Sequence, residues 1–359
     1  MSPELDLGTP FTNDVIVVDG MWGTGKSILS SLIGSLEGVE KKRIDYTFEY
    51  LCVGHFLGRI SADLAMTMIR IQADLDQYNN LIGREVNLRM SDDSGFRNTP
   101  GSLRYLRRLI ASEGETVVNR INNENLALLL VTHHISAVCD PLVNALRERL
   151  FLIEVVRHPL HLVKYWTTYF EDFERSREFT LSARVRDTRV PWFALDWSDE
   201  FVGLSPIDRA IRCISFLQNA SLSPRALSQE VFPDSSHNTH RLIVPFESLI
   251  AQPELVLNDV ASFTGRNRTS RTARVFRKQK IPRRASQIGR ATNERSWIPS
   301  PTLSHDEQLA ELIAWVREHA KPVSIQMMEA SINRYESAFA PLGDKECLYL
   351  PIEQLRAPQ

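Results

Sequence analysis

The run Gly20-Met21-Trp22-Gly23-Thr24-Gly25-Lys26-Ser27 has the residue types and the spacing to hold a phosphate group. Its glycines let backbone N–H groups turn inward around an anion. Lys26 adds a mobile positive charge. Ser27 offers a hydroxyl that can bond a phosphate oxygen or ligate magnesium. The run follows Asp14 to Asp19 (DVIVVD), a short β-branched apolar stretch of the kind that forms a buried strand. It precedes Ser27 to Leu36 (SILSSLIGSL), which carries a helical apolar stripe. Strand, glycine turn and helix in succession place a helix N-terminus, with its positive dipole end, behind the anion. The expected cradle is Gly23, Thr24, Gly25, Lys26, Ser27 and Ile28.

Two further strand ends carry candidate chemistry. Leu126 to Val131 (LALLLV) runs into Thr132-His133-His134, and Leu150 to Val156 (LFLIEVV) runs into Arg157-His158-Pro159. A magnesium-dependent kinase usually places a carboxylate at such a position. Here the ends offer histidine and arginine, and Glu154 lies inside its strand. That pattern favours a ligand whose phosphate charge is neutralised by the protein, with an imidazole near the centre as general base. A histidine beside a core strand can equally be packed and hydrogen-bonded, and this applies to His133 and more so to His134.

These residues need a sheet to hold them. Around the three strands, a weak strand is expected near Arg43 to Tyr46 and another at Arg241 to Val244. Helical patterns cover Phe48 to Leu75, Ser102 to Ile110, Glu115 to Ile121, Pro141 to Arg149, His161 to Phe173, Ile207 to Leu217 and Pro253 to Thr264. Two more, Asp306 to His319 and Ser324 to Ser337, close the chain. Strands alternating with helices predict an α/β three-layer P-loop fold, with a mainly parallel central sheet and helices on both faces. Residues 1–359 read as one domain with an irregular insertion at about 174–204, laid over the active face, and a basic stretch at about 266–295.

Composition narrows the function classes. The 359 residues are 43% hydrophobic and 24% charged, with a formal net charge of −2. Such a charge gives no global attraction to nucleic acid or an acidic membrane. No stretch is apolar enough to span a bilayer, and the acidic first fourteen residues lack a secretory apolar core. Four dispersed cysteines form no metal or disulfide spacing, so neither a metal nor a disulfide framework is expected. The expectation is a cytoplasmic protein that binds a nucleotide. The oligomeric state is left open.

Three segments together resemble the sulfotransferases that use 3′-phosphoadenosine 5′-phosphosulfate (PAPS). The glycine run is similar to that family's 5′-phosphosulfate loop. Val155-Val156-Arg157-His158-Pro159 and the following helix resemble its strand-to-helix turn, whose arginine binds the 3′-phosphate. Val244-Pro245-Phe246-Glu247-Ser248-Leu249, then Pro253-Glu254 and a helix closing on Phe263-Thr264-Gly265, resemble its third motif. The resemblance implies sulfuryl transfer from PAPS to an acceptor hydroxyl on a carbohydrate or small alcohol, without nucleic acid or membrane. It implies Lys26 at the leaving group, and either His133 or Glu49 as the base. Arg157, Tyr165, Arg283, Arg284 and Arg290 are implied to bind the nucleotide.

The chain departs from the family twice. Gly23 stands where the family usually carries lysine, with Lys26 in a usual Thr or Ser position, and Tyr165 stands where a serine is usual. Trp192, Phe193 and Trp197 of the insertion are candidates either to cover the acceptor or to form a satellite core. An ATP-dependent kinase of a small molecule and a non-catalytic nucleotide-binding module are the competing readings.

Overall fold

A computed structural model describes residues 5, 7–84, 86–89, 91, 95, 102–110, 113–223, 240–284 and 303–339. Arg290, in the basic stretch, lies outside the described residues.

Among the described residues the main sheet has five strands, β1 (Val15–Asp19), β2 (Val39–Ile44), β3 (Ala127–Val131), β4 (Leu150–Val156) and His240–Pro245. They lie in the order β2, β3, β1, β4, His240–Pro245, and every pairing is parallel. A parallel sheet must be covered on both faces. Strand β1 shows how this is met. Side chains alternate across a strand, so Val15 and Val17 enter one apolar cluster, while Ile16 and Val18 enter another.

The second cluster is closed by α1 (Lys26–Ile33), which begins at Gly25 with φ 93°. The first is covered by α2 (Tyr46–Phe56) and α3 (Ala62–Leu81). Next come α4 (Ser102–Arg108) and α5 (Glu115–Glu124), then α6 (Asp140–Leu146) and α7 (Leu160–Asp172). The long helical pattern at Phe48 to Leu75 is therefore two helices. They part after Phe56, where Gly58 takes φ 66°.

The insertion is more regular than the sequence suggests. It contains an antiparallel hairpin, β5 (Ser182–Val185) and β6 (Thr188–Pro191), and then a 3-10 segment, Trp192–Trp197. The turn residues Arg186 and Asp187 both take positive φ, as tight two-residue hairpins require. Helices α8 (Ser198–Val202) and α9 (Pro206–Ser221) return the chain to the sheet face. Strand β7 (His240–Pro245) leads into α10 (Phe246–Ala251) and α11 (Pro253–Thr264). The latter closes on Gly265, left-handed at φ 63°, as a C-terminal glycine should be.

The basic stretch contains a helix, α12 (Thr272–Gln279). Two of its arginines are structural. Arg266 is buried and reaches Asp14 and the carbonyls of Glu37 and Asn125. Arg268 pairs with Glu254. Helices α13 (His305–His319) and α14 (Pro322–Phe339) complete the described chain.

One buried ion pair ties β4 to β7. The carboxylate of Glu154 takes hydrogen bonds from Arg241 and from Ser221 of α9. Both charges are nearly fully buried. Removing one partner of such a pair strands the other, at a cost of about 3–5 kcal/mol. Arg241→Met should lower unfolding stability by that amount in urea denaturation, and Glu154→Gln added to it should recover much of the loss. A loss below about 1 kcal/mol in the single variant would contradict a buried, charged Glu154.

Candidate functional site

In open parallel sheets, ligands sit outside the carboxyl ends of the strands. Here Gly20 follows β1, Thr132-His133-His134 follows β3 and Arg157 follows β4. The adjacent order of these three strands brings the three candidate segments together.

The loop after β1 is held by backbone geometry and packing. Gly20, Gly23 and Gly25 take φ 143°, 84° and 93°. A Cβ on Gly20 would lie 2.3 Å from the Val155 carbonyl oxygen, and one on Gly25 would lie 2.3 Å from the Phe246 ring. Thr24 is buried and donates to the Met21 carbonyl at 2.8 Å. Lys26 folds back over the loop and donates to the carbonyls of Gly20 (2.6 Å) and Met21 (2.9 Å). It is 7% exposed. Burial lowers its pKa to about 8, although Asp19, Glu49 and Glu154 pull in the other direction. Ser27 is exposed at the first turn of α1, and Ile28 is buried behind it.

Arg157 approaches the same loop from β4. Its guanidinium donates to the Gly23 carbonyl at 2.7 Å and lies 4.3 Å over the Phe246 ring. Burial lowers its pKa to about 10, against the pull of Glu247, and Arg283 adds to the lowering. Glu247 fixes this turn in place. It accepts the His158 backbone N–H at 3.0 Å and the Tyr335 hydroxyl at 2.5 Å. The Glu-x-Leu signal in the sequence thus marks a brace from α10 to the β4 turn and to α14.

Asp19, the last residue of β1, is a functional neighbour that sequence reasoning passed over. It is fully buried. It accepts the Thr132 hydroxyl at 2.9 Å, the Ser136 backbone N–H at 2.8 Å and the Ser136 hydroxyl at 2.5 Å. These bonds pin the turn that carries both histidines. His134 takes a left-handed φ of 61°, a conformation histidine tolerates better than most residues.

His133 and Glu49 form one unit. Oε1 of Glu49 accepts the His133 backbone N–H at 3.0 Å and lies 2.9 Å from Nδ1 of the same residue. Asp45 caps α2 through the Thr47 N–H, which sets Glu49 in the first turn, facing β3. Burial pushes Glu49 up to about 9, with Asp19 adding to the rise, while Lys26 and the His133 N–H oppose it. Burial holds His133 well below the ordinary imidazole value, and Lys26 adds to this. Both directions describe a pair without net charge at neutral pH, in which the extra proton belongs to the carboxyl.

A cavity of about 110 Å³ opens beside this pair. Trp22 of the glycine loop, Tyr46 and Tyr50 of α2, and Tyr165 and Tyr169 of α7 line it, with both histidines. The insertion adds Glu178 to Leu181 and Trp192. The insertion lines the cavity through Phe179 and Trp192. Phe193 is buried against His134 and Trp166, and Trp197 packs on Phe201 and Arg212. Tyr46 and Tyr50 were missed. Their signal was the four-residue spacing that puts them on one helix face, either side of Glu49.

The basic stretch contributes less. Arg283 is close enough to Arg157 to affect it, but its N–H groups donate to the carbonyls of Gln279 and Lys280. Arg284 is exposed.

Glu49 makes a stability prediction independent of function. Between its ordinary value of 4.5 and about 9, the unfolded chain releases this proton while the folded chain keeps it. The folded state then binds more protons, so stability falls as pH rises through that window. Glu49→Gln removes the titration. In urea denaturation it should be near neutral at pH 4.5 and more stable than wild type by on the order of 4–5 kcal/mol at pH 8. An equal difference at both pH values would mean that Glu49 is ionised in the fold.

No protein-family model matches this chain, and no curated protein matches it. Among solved structures, the sulfotransferase domain of the Synechococcus PCC 7002 olefin synthase aligns over 89% of this chain and 100% of its own, at 13% identity and a TM-score of 0.42. The sulfotransferase domain of the curacin biosynthetic pathway aligns over 84% and 98%, at 11% identity and 0.40. A sulfotransferase from Mycobacterium tuberculosis H37Rv aligns over 78% and 74%, at 13% identity and 0.35. At these identities and scores the likeness assigns no activity and no residue role.

Proposed function

We propose that the protein transfers a sulfuryl group from PAPS to the hydroxyl of an acceptor held in the aromatic cavity. The observation that carries this reading is the convergence of Lys26 and Arg157 on one glycine loop, beside the Glu49–His133 pair. Burial lowers the pKa of both cations more than their acidic neighbours raise it. Such under-compensated charge suits a ligand bearing phosphate groups.

In this reading Gly23 to Ile28 cradle the 5′-phosphosulfate, and Lys26 neutralises charge on the departing phosphate oxygen. Arg157, with Arg283 behind it, serves the 3′-phosphate, and Tyr165 lies between loop and cavity. The acceptor oxygen attacks sulfur as the bond from sulfur to the bridging oxygen breaks. The products are a sulfate ester and adenosine 3′,5′-bisphosphate. The hydroxyl proton passes to Nε2 of His133. For that, Nδ1 must carry its hydrogen toward an ionised Glu49, which makes Glu49 a positioning residue. Glu154 and Asp19 are fully engaged by protein donors, which favours this reading over a kinase that uses either to hold magnesium.

A thermal-shift comparison tests the ligand, because selective binding to the native state raises apparent stability. Adenosine 3′,5′-bisphosphate should raise Tm with or without magnesium. A rise with ATP and magnesium alone would point to the kinase. Lys26→Ala and His133→Ala should each cut transfer from PAPS to simple hydroxyl acceptors by about 100-fold or more with the fold intact. Wild-type rates in both would defeat the assignment, and tight bisphosphate binding with no turnover would favour a binding module.

The pH profile carries a second test. The active form needs Lys26 protonated and the pair deprotonated, so kcat/KM should be bell-shaped, peaking between about 8 and about 9. Glu49→Gln should move the rising limb below neutral pH, toward the lowered value of His133 itself. A rising limb that stays in place would remove Glu49 from the proton path.

A further inference from the structure

Helix α3 is apolar on two opposite faces, and the fold covers only one of them. The inner face, with Ile69 and Ala73, joins the core cluster of Val15, Val17, Leu128 and Leu130. The outer face carries Leu64, Met68, Ile71 and Leu75, each between 37% and 46% exposed. At 3.6 residues per turn these four lie within about 60° of arc and run for about 16 Å along the helix. No charged residue falls inside that arc. A surface helix ordinarily turns polar and charged side chains outward.

The polar groups that flank the stripe are fastened to the protein itself. On one side the Thr67 hydroxyl donates to the Leu5 carbonyl at 2.9 Å, and Asp74 accepts from the Phe11 N–H and from Arg149. On the other side Gln72 donates to Asp45 and Asp76. These bonds leave the apolar line between them open. Leu5, held beside Thr67 and 47% exposed, widens it.

We propose that this stripe is a dimer interface, in which α3 packs antiparallel against α3 of a second copy of this chain. Spacing is the first reason for a second copy. The intervals of four, three and four residues read the same in both directions, and a two-fold interface sets one patch against itself. With the axis between Met68 and Ile71, Leu64 meets Leu75 and Met68 meets Ile71, twice each. The same four-three rhythm forms the seam along which paired helices interlock. Area is the second reason. With Leu5, the stripe leaves on the order of 400 Å² of apolar surface per protomer, the scale of patch that marks a contact. Two stripes bring together about 800 Å². A stable interface buries at least about 1,200 Å², and in homodimers about 65% of it, or about 780 Å², is apolar. The two stripes therefore supply the apolar share of a small homodimer interface, which sets association at micromolar concentrations.

The inference does not depend on the proposed reaction, and sedimentation velocity tests it. Between about 1 and about 100 μM, wild-type protein should pass from a 41.0 kDa monomer to a species of twice that mass. Met68→Glu and Ile71→Glu each put charge on the stripe without entering the core. Each should weaken association by at least about 100-fold, with circular dichroism and Tm unchanged. Under mild oxidation, Leu64→Cys combined with Leu75→Cys should give a covalent dimer. Leu64→Cys alone should not, because antiparallel packing holds the two copies of that residue about 16 Å apart, beyond disulfide reach. A monomer at every concentration, a dimer that survives both glutamate variants, or a covalent dimer from Leu64→Cys alone would overturn the proposal. So would a monomer that floats with phosphatidylcholine vesicles, which would assign the stripe to a lipid surface.

Discussion

The site depends on a buried carboxylate that never needs to touch a ligand. Asp19 sits at the end of the central strand with no exposed surface, so its charge must be met by protein donors. The donors are Thr132 and Ser136, the two ends of the turn after β3. Satisfying one strand's terminal acid therefore fixes the position of the next strand's histidines. The same residue begins the glycine loop, so loop and histidine turn share one anchor. Glu247 plays the equivalent part on the other side, holding the β4 turn against α14. The two acids brace the carboxyl edge of the sheet as a rigid rim.

On that rim the electrostatics are deliberately unbalanced. Three acids surround Lys26, yet desolvation still wins and lowers its pKa. One of those acids, Glu49, is itself held protonated by burial and by Asp19, which weakens its ability to neutralise the lysine. Raising Glu49 and lowering Lys26 are thus two outcomes of one constraint, the burial of both groups at the carboxyl end of the sheet. An incoming anion would relieve it from the outside. It would restore the lysine's charge and leave the carboxyl free to give up its proton only as the pH rises.

Much of this architecture was legible. Runs of β-branched and leucine residues marked the strands because buried parallel strands have no polar face to hide. β4 came out with the ends the sequence proposed, since Arg149 before it and Arg157 after it bound a run that is apolar apart from Glu154. The glycine loop and Arg157 were also visible, because their residue types and spacing stand out at the ends of apolar runs. What was not legible depended on tertiary contact. His133 and Glu49 were read as rival bases, and the fold makes them partners across 84 residues of chain. The hairpin in the insertion was hidden because its strands are four residues long, the first mostly exposed and the second partly buried, with no apolar alternation to betray them. Arg266 read as part of a cationic loop, and only the fold brings Asp14 to it.

The glycine pattern carries less functional weight than its text suggests. Gly20 is required by the carbonyl of Val155 and Gly25 by the ring of Phe246, so two of the three glycines would be needed even if nothing ever bound. A phosphate-loop motif can therefore persist for packing alone. What packing does not demand is a lysine folded over the loop carbonyls, or an arginine brought from the next strand to a third carbonyl of the same loop. Both cations spend desolvation energy that an apolar residue in either place would not. Hydrogen bonds to the loop carbonyls and the Phe246 face meet part of that cost within the fold, and a bound anion would meet more of it. The case for a phosphate-bearing ligand accordingly rests on Lys26 and Arg157, and the glycines explain only how the two can meet.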